Sequence, residues 1–374
     1  MDNVDYQELE VLPLDIVRIV FEKAMEDEPP PLHLLRVSHQ VRSWLEPLLY
    51  HHVSLHSDST LYKFYQTLRA KQNSAFAQDS SFLQRHVQTL FIVSGCPEAH
   101  EIVAIIQHLT KLRSLACWDG DGTEWGRTAV KLLLDAAQNE GVFPYANLRR
   151  LSFSTSVLEE RNVTFAHRAF RDLTHVDFVV RSTVDWESLR SLHNLTHASF
   201  DLVTELPNLT TKAIQCWFSR LIAACPLTVK VIILVIVEEY IGDFDLRDLD
   251  GDFLYPGWPP PHPDFATTED ERCITPLSSR ISENCSDVGL TTLHPIARIA
   301  LGIVDPRVVP GALTSNIDAA QIYRNLLVYC HMHNCIKDWD GTVPRHRDCW
   351  MSAEDIIERR RIFTWSELVA RATS

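Results

Sequence analysis

Leu148-Arg-Arg-Leu-Ser-Phe153, Leu173-Thr-His-Val-Asp-Phe178 and Leu195-Thr-His-Ala-Ser-Phe200 repeat one pattern: an apolar residue, two positions, an apolar residue, one position, an apolar residue. Two earlier stretches follow it, Val87/Leu90/Ile92 and Leu112/Leu115/Cys117, and a weaker one comes later, Val231/Leu234/Ile236. The last two apolar residues of each set are two apart, the spacing that shares one face of a strand. Counted from first residue to first residue, the steps are 25, 36, 25, 22 and 36 positions. The two long steps predict units with inserted helix.

The intervening segments fit that reading. Ile102, Ile105, Ile106 and Leu109 fall on one helical face, Ala129 to Ala137 reads as a second helix, and Ile214, Trp217, Phe218, Leu221 and Ile222 make a wide stripe within Thr210–Ala224. Strand, turn and helix in alternation predict an α/β chain whose strands lie side by side in a curved solenoid. A single unit cannot cover its own apolar face, so stacking buries it. The pattern resembles degenerate leucine-rich repeats, whose regular period is about 20–29 residues. The family's Asn or Cys two positions after the third apolar residue is mostly replaced: Asp119 follows Cys117 and Thr155 follows Phe153. An irregular α/β domain is the other reading.

Upstream lies Leu12–Leu49, LPLDIVRIVFEKAMEDEPPPLHLLRVSHQVRSWLEPLL. Pro13 suits a first helical turn, where its missing N–H has no partner to lose. Ile16, Ile19 and Val20 form one stripe of the following helix, and Val17 and Phe21 form a second. A helix facing a single core needs one stripe; a second asks for a second partner. Pro29–Pro31 break the chain. A short helix carries Leu34, Leu35 and Val37, and a third carries Val41, Trp44, Leu45, Leu48 and Leu49, with Pro47 expected to kink or end it.

The Leu12-Pro13 opening, the aliphatic helix ending in Phe21, and Leu34-Leu35 leading into Val37-Ser38 resemble an F-box. Val41 stands where the family usually has Trp, and Trp44 comes one turn later. The continuation Trp44–Tyr50, then Val53-Ser54-Leu55, is similar to F-box-like proteins of mushroom-forming (basidiomycete) fungi. This resemblance implies a three-helix unit that docks on the Skp-type linker of a cullin–RING ubiquitin ligase. Leu12, Pro13, Ile16, Val20, Phe21, Leu35 and Val37 are the residues it assigns to that interface or its immediate support. It further implies that the repeat region presents a concave surface to a substrate protein, and that the chain acts by tethering rather than by chemistry.

The expected organisation is an F-box-like unit over 8–56, a linker helix and loop over 57–85, repeats over 86–240, an acidic and Pro-rich flexible loop over 241–288, and a repeat continuation with a helical tail over 289–374. Val53 and its neighbours alternate as one strand, and Leu61, Phe64, Tyr65 and Leu68 give a helical stripe. Near the end, Ile322, Leu326 and Tyr329 predict a helix over Ile317–Tyr329. Trp350–Arg361 predicts another, whose basic run Arg359-Arg360-Arg361 suits a helix C-terminus.

The net charge of −14 argues against nucleic acid and against an anionic membrane face. The longest apolar run, Val231–Val237, is far short of a membrane span and reads as a buried strand. The acidic opening MDNVDYQELE is unlike a signal peptide. The nine cysteines are therefore expected as reduced thiols in a cytosolic or nuclear protein, and the sequons at Asn162, Asn194, Asn208 and Asn284 as unused. Asp248, Asp250 and Asp252 begin like a calcium loop, but Phe253 and Pro259 stand where Gly and Glu belong. Cys330, His331, His333, Cys335, His346 and Cys349 are zinc-type ligands at unusual spacing. They define the rival reading of a metal-binding enzyme. No nucleophile elbow, phosphate loop or zincin motif occurs, so neither catalysis nor a cofactor is expected. A further rival makes the chain an interaction scaffold whose helical unit only caps the first repeat.

Overall fold

Alternating apolar positions fall on one side of an extended chain, and here they line up across nine strands. The computed structural model describes residues 12–25, 30–73, 81–93, 99–118, 124–138, 143–180, 184–201, 219–237, 305–314, 328–331 and 348–362. The strands are β1 (His52–Leu55), β2 (Thr89–Val93), β3 (Ser114–Trp118), β4 (Arg150–Ser154), β5 (His175–Val179), β6 (His197–Asp201), β7 (Val231–Val237), β8 (Val308–Thr314) and β9 (Val328–His331). They form one sheet in chain order, β1 to β9, with every pairing parallel. The chain is a mixed α/β protein.

The register explains the repeated pattern. Val53, Leu90, Leu115, Leu151, Val176, Ala198, Ile232 and Val308 stand opposite one another across successive strands. Phe153, Phe178, Phe200 and Leu234 make a second row. Both rows belong to one apolar core, shared with Leu61, Phe64 and Leu68 of α3 (Asp58–Gln72), Ile102, Ile105 and Ile106 of α5 (Ala99–His108), and Leu133 and Leu134 of α6 (Glu124–Gln138). Phe178 sits at its centre, with ring centroids 5.0 Å from Phe165, 5.5 Å from Phe153 and 5.6 Å from Phe200. Strands β3 to β7 are each started by a shared carbonyl: Arg149 O, for example, accepts the N–H groups of Thr174 and His175, and Thr174 O accepts those of Thr196 and His197.

The weak sixth copy of the pattern is displaced by two residues. Ala198 pairs with Ile232 and Phe200 with Leu234, so the equivalent set is Val229/Ile232/Leu234 rather than Val231/Leu234/Ile236. The displacement of two keeps the same face; because β7 is apolar at every position, nothing in it marks where the set of three begins. Val231, Ile233 and Val235 are buried on the sheet's other side, in a second apolar cluster, so alternation carries no phase. Gly311 of β8 lies against that strand; a Cβ there would come within 2.8 Å of Ile233 Cγ2, which is why the strand carries glycine.

The opening segment forms α1 (Leu14–Ala24), a 3-10 helix over Leu32–Arg36 and α2 (His39–His51). Ser38 caps α2 by accepting from Val41 N at 3.1 Å. The helix continues through Pro47 instead of ending there. Ser43, whose carbonyl loses its usual donor, is solvent-exposed, so water can take that acceptor. From α2 the chain runs directly into β1. Tyr50 meets Phe82 of α4 (Phe82–His86) edge-on at 5.6 Å, and Lys71 joins Glu46 at 3.2 Å while lying 4.1 Å over the same ring.

The C-terminal helix α8 (Cys349–Ile362) follows the short α7 (Ser156–Arg161) in this numbering. Val328 and Tyr329 lie in β9 and not in a helix; the rest of the Ile317–Tyr329 reading falls outside the described residues. Within Thr210–Ala224, residues 219–224 are helical, with Leu221 and Ile222 buried, and the remainder is also outside. The acidic and Pro-rich stretch 241–288 and the Asp248 loop lie outside the described residues altogether.

Candidate functional site

Two faces stand out from the sealed core. The first is on the N-terminal helices. Their own core is small: only Val41 and Leu45 of α2 are buried, with Trp44, Leu34, Leu35, Phe21 and Val17 half-buried around them. Nothing on α1 is buried. Leu12 (58% exposed), Leu14 (56%), Ile16 (41%), Ile19 (57%) and Val20 (57%) face solvent, and Leu32, Val37 and Leu48 add to them from the next two helices. Of the residues the F-box resemblance assigns, Leu12, Pro13, Ile16, Val20 and Val37 are exposed, whereas Phe21 and Leu35 are half-buried. Leu14, Ile19, Leu32 and Leu48 belong to the same exposed set and were not among the assigned residues. Of these, Ile19 belongs to the Ile16/Ile19/Val20 stripe of α1, whereas Leu14, Leu32 and Leu48 carried no such signal. Exposed aliphatics in this number on one small unit mark an interaction surface.

The second is the side of the sheet opposite the large core. Here α8 crosses the strands. At its start, Asp348 accepts Met351 N at 2.7 Å, capping the helix, and reaches Arg150 of β4 at 3.4 Å. Trp350 sets its edge against His175 of β5 and His197 of β6, both at 5.5 Å. One turn on, Glu354 reaches His197 Nε2 at 3.2 Å. Ala353, Ile356 and Ile357 pack with Val231, Ile233, Val235, Val309 and Val328, and Arg360 donates to Val308 O of β8 at 2.6 Å. The two imidazoles stack at 4.2 Å with planes 2° apart. Burial, the neighbouring His197 and Arg150 push His175 down to about 2; burial also lowers His197, against the opposing pull of Glu354 and Asp348. Next to His175, Asp177 is fully buried and receives Ser152 Oγ at 2.6 Å. Burial raises its carboxyl above the usual range, partly offset by the serines at 152 and 199. The repeated Leu-Thr-His at 173–175 and 195–197 is the sequence signal for this histidine pair.

The Nδ1 atoms of His175 and His197 pair with the hydroxyls of Thr174 at 2.9 Å and Thr196 at 2.8 Å, and those hydroxyls also donate to the carbonyls of Arg149 and Thr174. The buried thiols of Cys117 and Cys225 are both pushed up to about 12 by desolvation, which keeps them protonated and unreactive. Among the described residues no group of three or more His, Cys, Asp or Glu side chains could hold a metal ion. Of the six zinc-type candidates, only the Cys349 side chain is described, and it is buried at the first position of α8; Cys330 and His331 lie on β9, and His333, Cys335 and His346 are outside the described residues. Also among the described residues, no helix is long and apolar enough to cross a membrane. A cleft of about 490 Å³ opens beside α8, lined by Lys230, Arg307, Glu354 and Glu358 among others. Arg307 there is held by Asp305 at 2.8 Å.

No protein-family model, curated protein or solved structure matches the chain.

Proposed function

We propose that the chain is an F-box-like substrate adaptor of a Skp–cullin–F-box type ubiquitin ligase. In this reading the N-terminal helices bind the Skp-type linker, and through it a cullin, while the strand-and-helix body is a leucine-rich-repeat-like solenoid that holds a substrate protein. The observation that carries the reading is the uncovered aliphatic face of α1 beside a helical unit with two buried residues of its own. Burying an aliphatic side chain is worth roughly 1.5–3 kcal/mol. Covering Leu14, Ile16, Ile19 and Val20 together would therefore drive association by several kcal/mol before its entropic costs. The adaptor does no chemistry; it raises the local concentration of its substrate near a ubiquitin-loaded enzyme.

The test is retention of a purified Skp-type linker by the full chain. The adaptor retains it, and Leu12→Asp and Val20→Asp each abolish retention while circular dichroism stays unchanged. Failure of the parent chain to retain the linker, or full retention by both variants, removes the ubiquitin reading. The alternative of a helical cap on a scaffold has support in the direct run of α2 into β1, but it leaves the exposed face of α1 without a purpose.

A further inference from the structure

We propose that α8 is a removable cover over the strand face of β4–β9, latched by the stacked neutral pair His175–His197, so that mild acidification lifts it and exposes that face to a partner. The inference does not rest on the adaptor reading.

The latch is a short list of contacts at one end of the helix. Trp350 rests on both imidazoles, Glu354 reaches His197, and Asp348 reaches Arg150. Two rings stacked face to face at 4.2 Å are compatible while neutral. Protonating both places two cations in contact beside a third, the Arg150 guanidinium, beneath a largely apolar cover. The charges acting on the pair are Arg150 from β4 and, on His197, Glu354 and Asp348 from α8 and its cap; Asp177 of β5 is hydrogen-bonded to Ser152. The acids favour a first proton on His197. None of them reaches His175, whose neighbours Arg150 and His197 both oppose protonation. Lys230, Arg307 and Arg361 line the cleft beside Glu354, and Arg307 is already paired with Asp305.

Both imidazoles are held below their ordinary value of 6.5 when the helix is docked. Protons therefore bind the lifted state in preference. The docked state keeps its full stability above pH 6.5 and loses it as pH falls below that value. Each imidazole that stays neutral in the docked state contributes roughly a tenfold shift per pH unit. The exposed strip would carry Arg150, two imidazolium rings and the apolar rows of β7 and β8. It suits a segment that presents what α8 presents: an aromatic ring, aliphatics and a carboxylate.

Amide hydrogen exchange on the full chain, corrected for intrinsic rates, tests this between pH 7.5 and 5.5. The expected result is a fall in protection of α8 by roughly 10- to 100-fold, while β2 and β3 keep theirs. Replacing both rings by His175→Phe/His197→Phe keeps the stacking and removes the pH dependence. Glu354 is half-exposed, so Glu354→Gln folds whatever the double variant does. It raises opening of α8 at every pH and steepens the loss with acid, because the carboxylate that eases protonation of His197 is gone. Protection of α8 that is flat over this range, or a Glu354→Gln profile identical to the parent's, overturns the proposal.

Discussion

Helices α1 and α8 make an instructive pair. The first, LDIVRIVFEKA, carries the broader apolar stripe and buries none of its residues. The second, CWMSAEDIIERRRI, ends in three arginines and has Cys349, Trp350, Ala353, Ile356 and Ile357 buried. What separates them is the surface opposite. Across from α8 lie Val231, Ile233, Val235 and Val309, a strand face with no other use for its methyl groups. Across from α1 lies a helical unit whose core ends at Val41 and Leu45. An apolar stripe says that a face wants cover; it does not say who supplies the cover.

Substitutions can break or sharpen this contrast, and the largest effect sets the scale. Phe178→Ala empties the centre of the aromatic row and costs about 3–5 kcal/mol in denaturant-induced unfolding. Ile356→Ala, on the covered helix, costs about 2–4 kcal/mol, and the loss shows first as faster exchange within α8. Gly311→Ala pushes a methyl into Ile233 beneath the same cover and costs about 1–3 kcal/mol, readable as a lower melting temperature. Ile19→Ala, on the uncovered helix, changes stability by less than about 0.5 kcal/mol. If Ile19→Ala were to cost as much as Ile356→Ala, α1 would be covered after all and the contrast would fail.

Much of this was legible in the residues because strands β4–β6 each have one strongly apolar face and polar Ser152, Asp177 or Ser199 on the other. Leu151 and Phe153, or Val176 and Phe178, mark strand and phase together. Where both faces are apolar, as in Val231–Val237, the strand was visible but its register was not. Tyr329 shows another limit: a four-residue strand is too short for periodicity to outweigh a helical spacing drawn from Ile322 and Leu326. Pro47 shows a third: it lies inside α2, and Ser43, four residues earlier, is a solvent-exposed residue. The exposed face of α1 was foreshadowed by its two stripes. The histidine pair repeats at matching positions of the sequence, but its cover by α8 has no local signal, because strands 22 positions apart meet a helix more than 150 positions further on.

The order of the strands along the sheet is also their order of synthesis. Strand β7 ends at Val237 and the cover arrives with Cys349–Ile362, so 125 residues must be made between Val237 and Ile362. At about 5–20 residues per second, translation takes roughly 6–25 seconds over that span. Until then α8 cannot cover Val231, Ile233 and Val235, while β8 and β9 are still being added to the sheet. A nascent chain stalled there is a natural client for a ribosome-associated chaperone, and premature stop codons upstream of Cys349 yield a product that aggregates rather than one that is merely shorter.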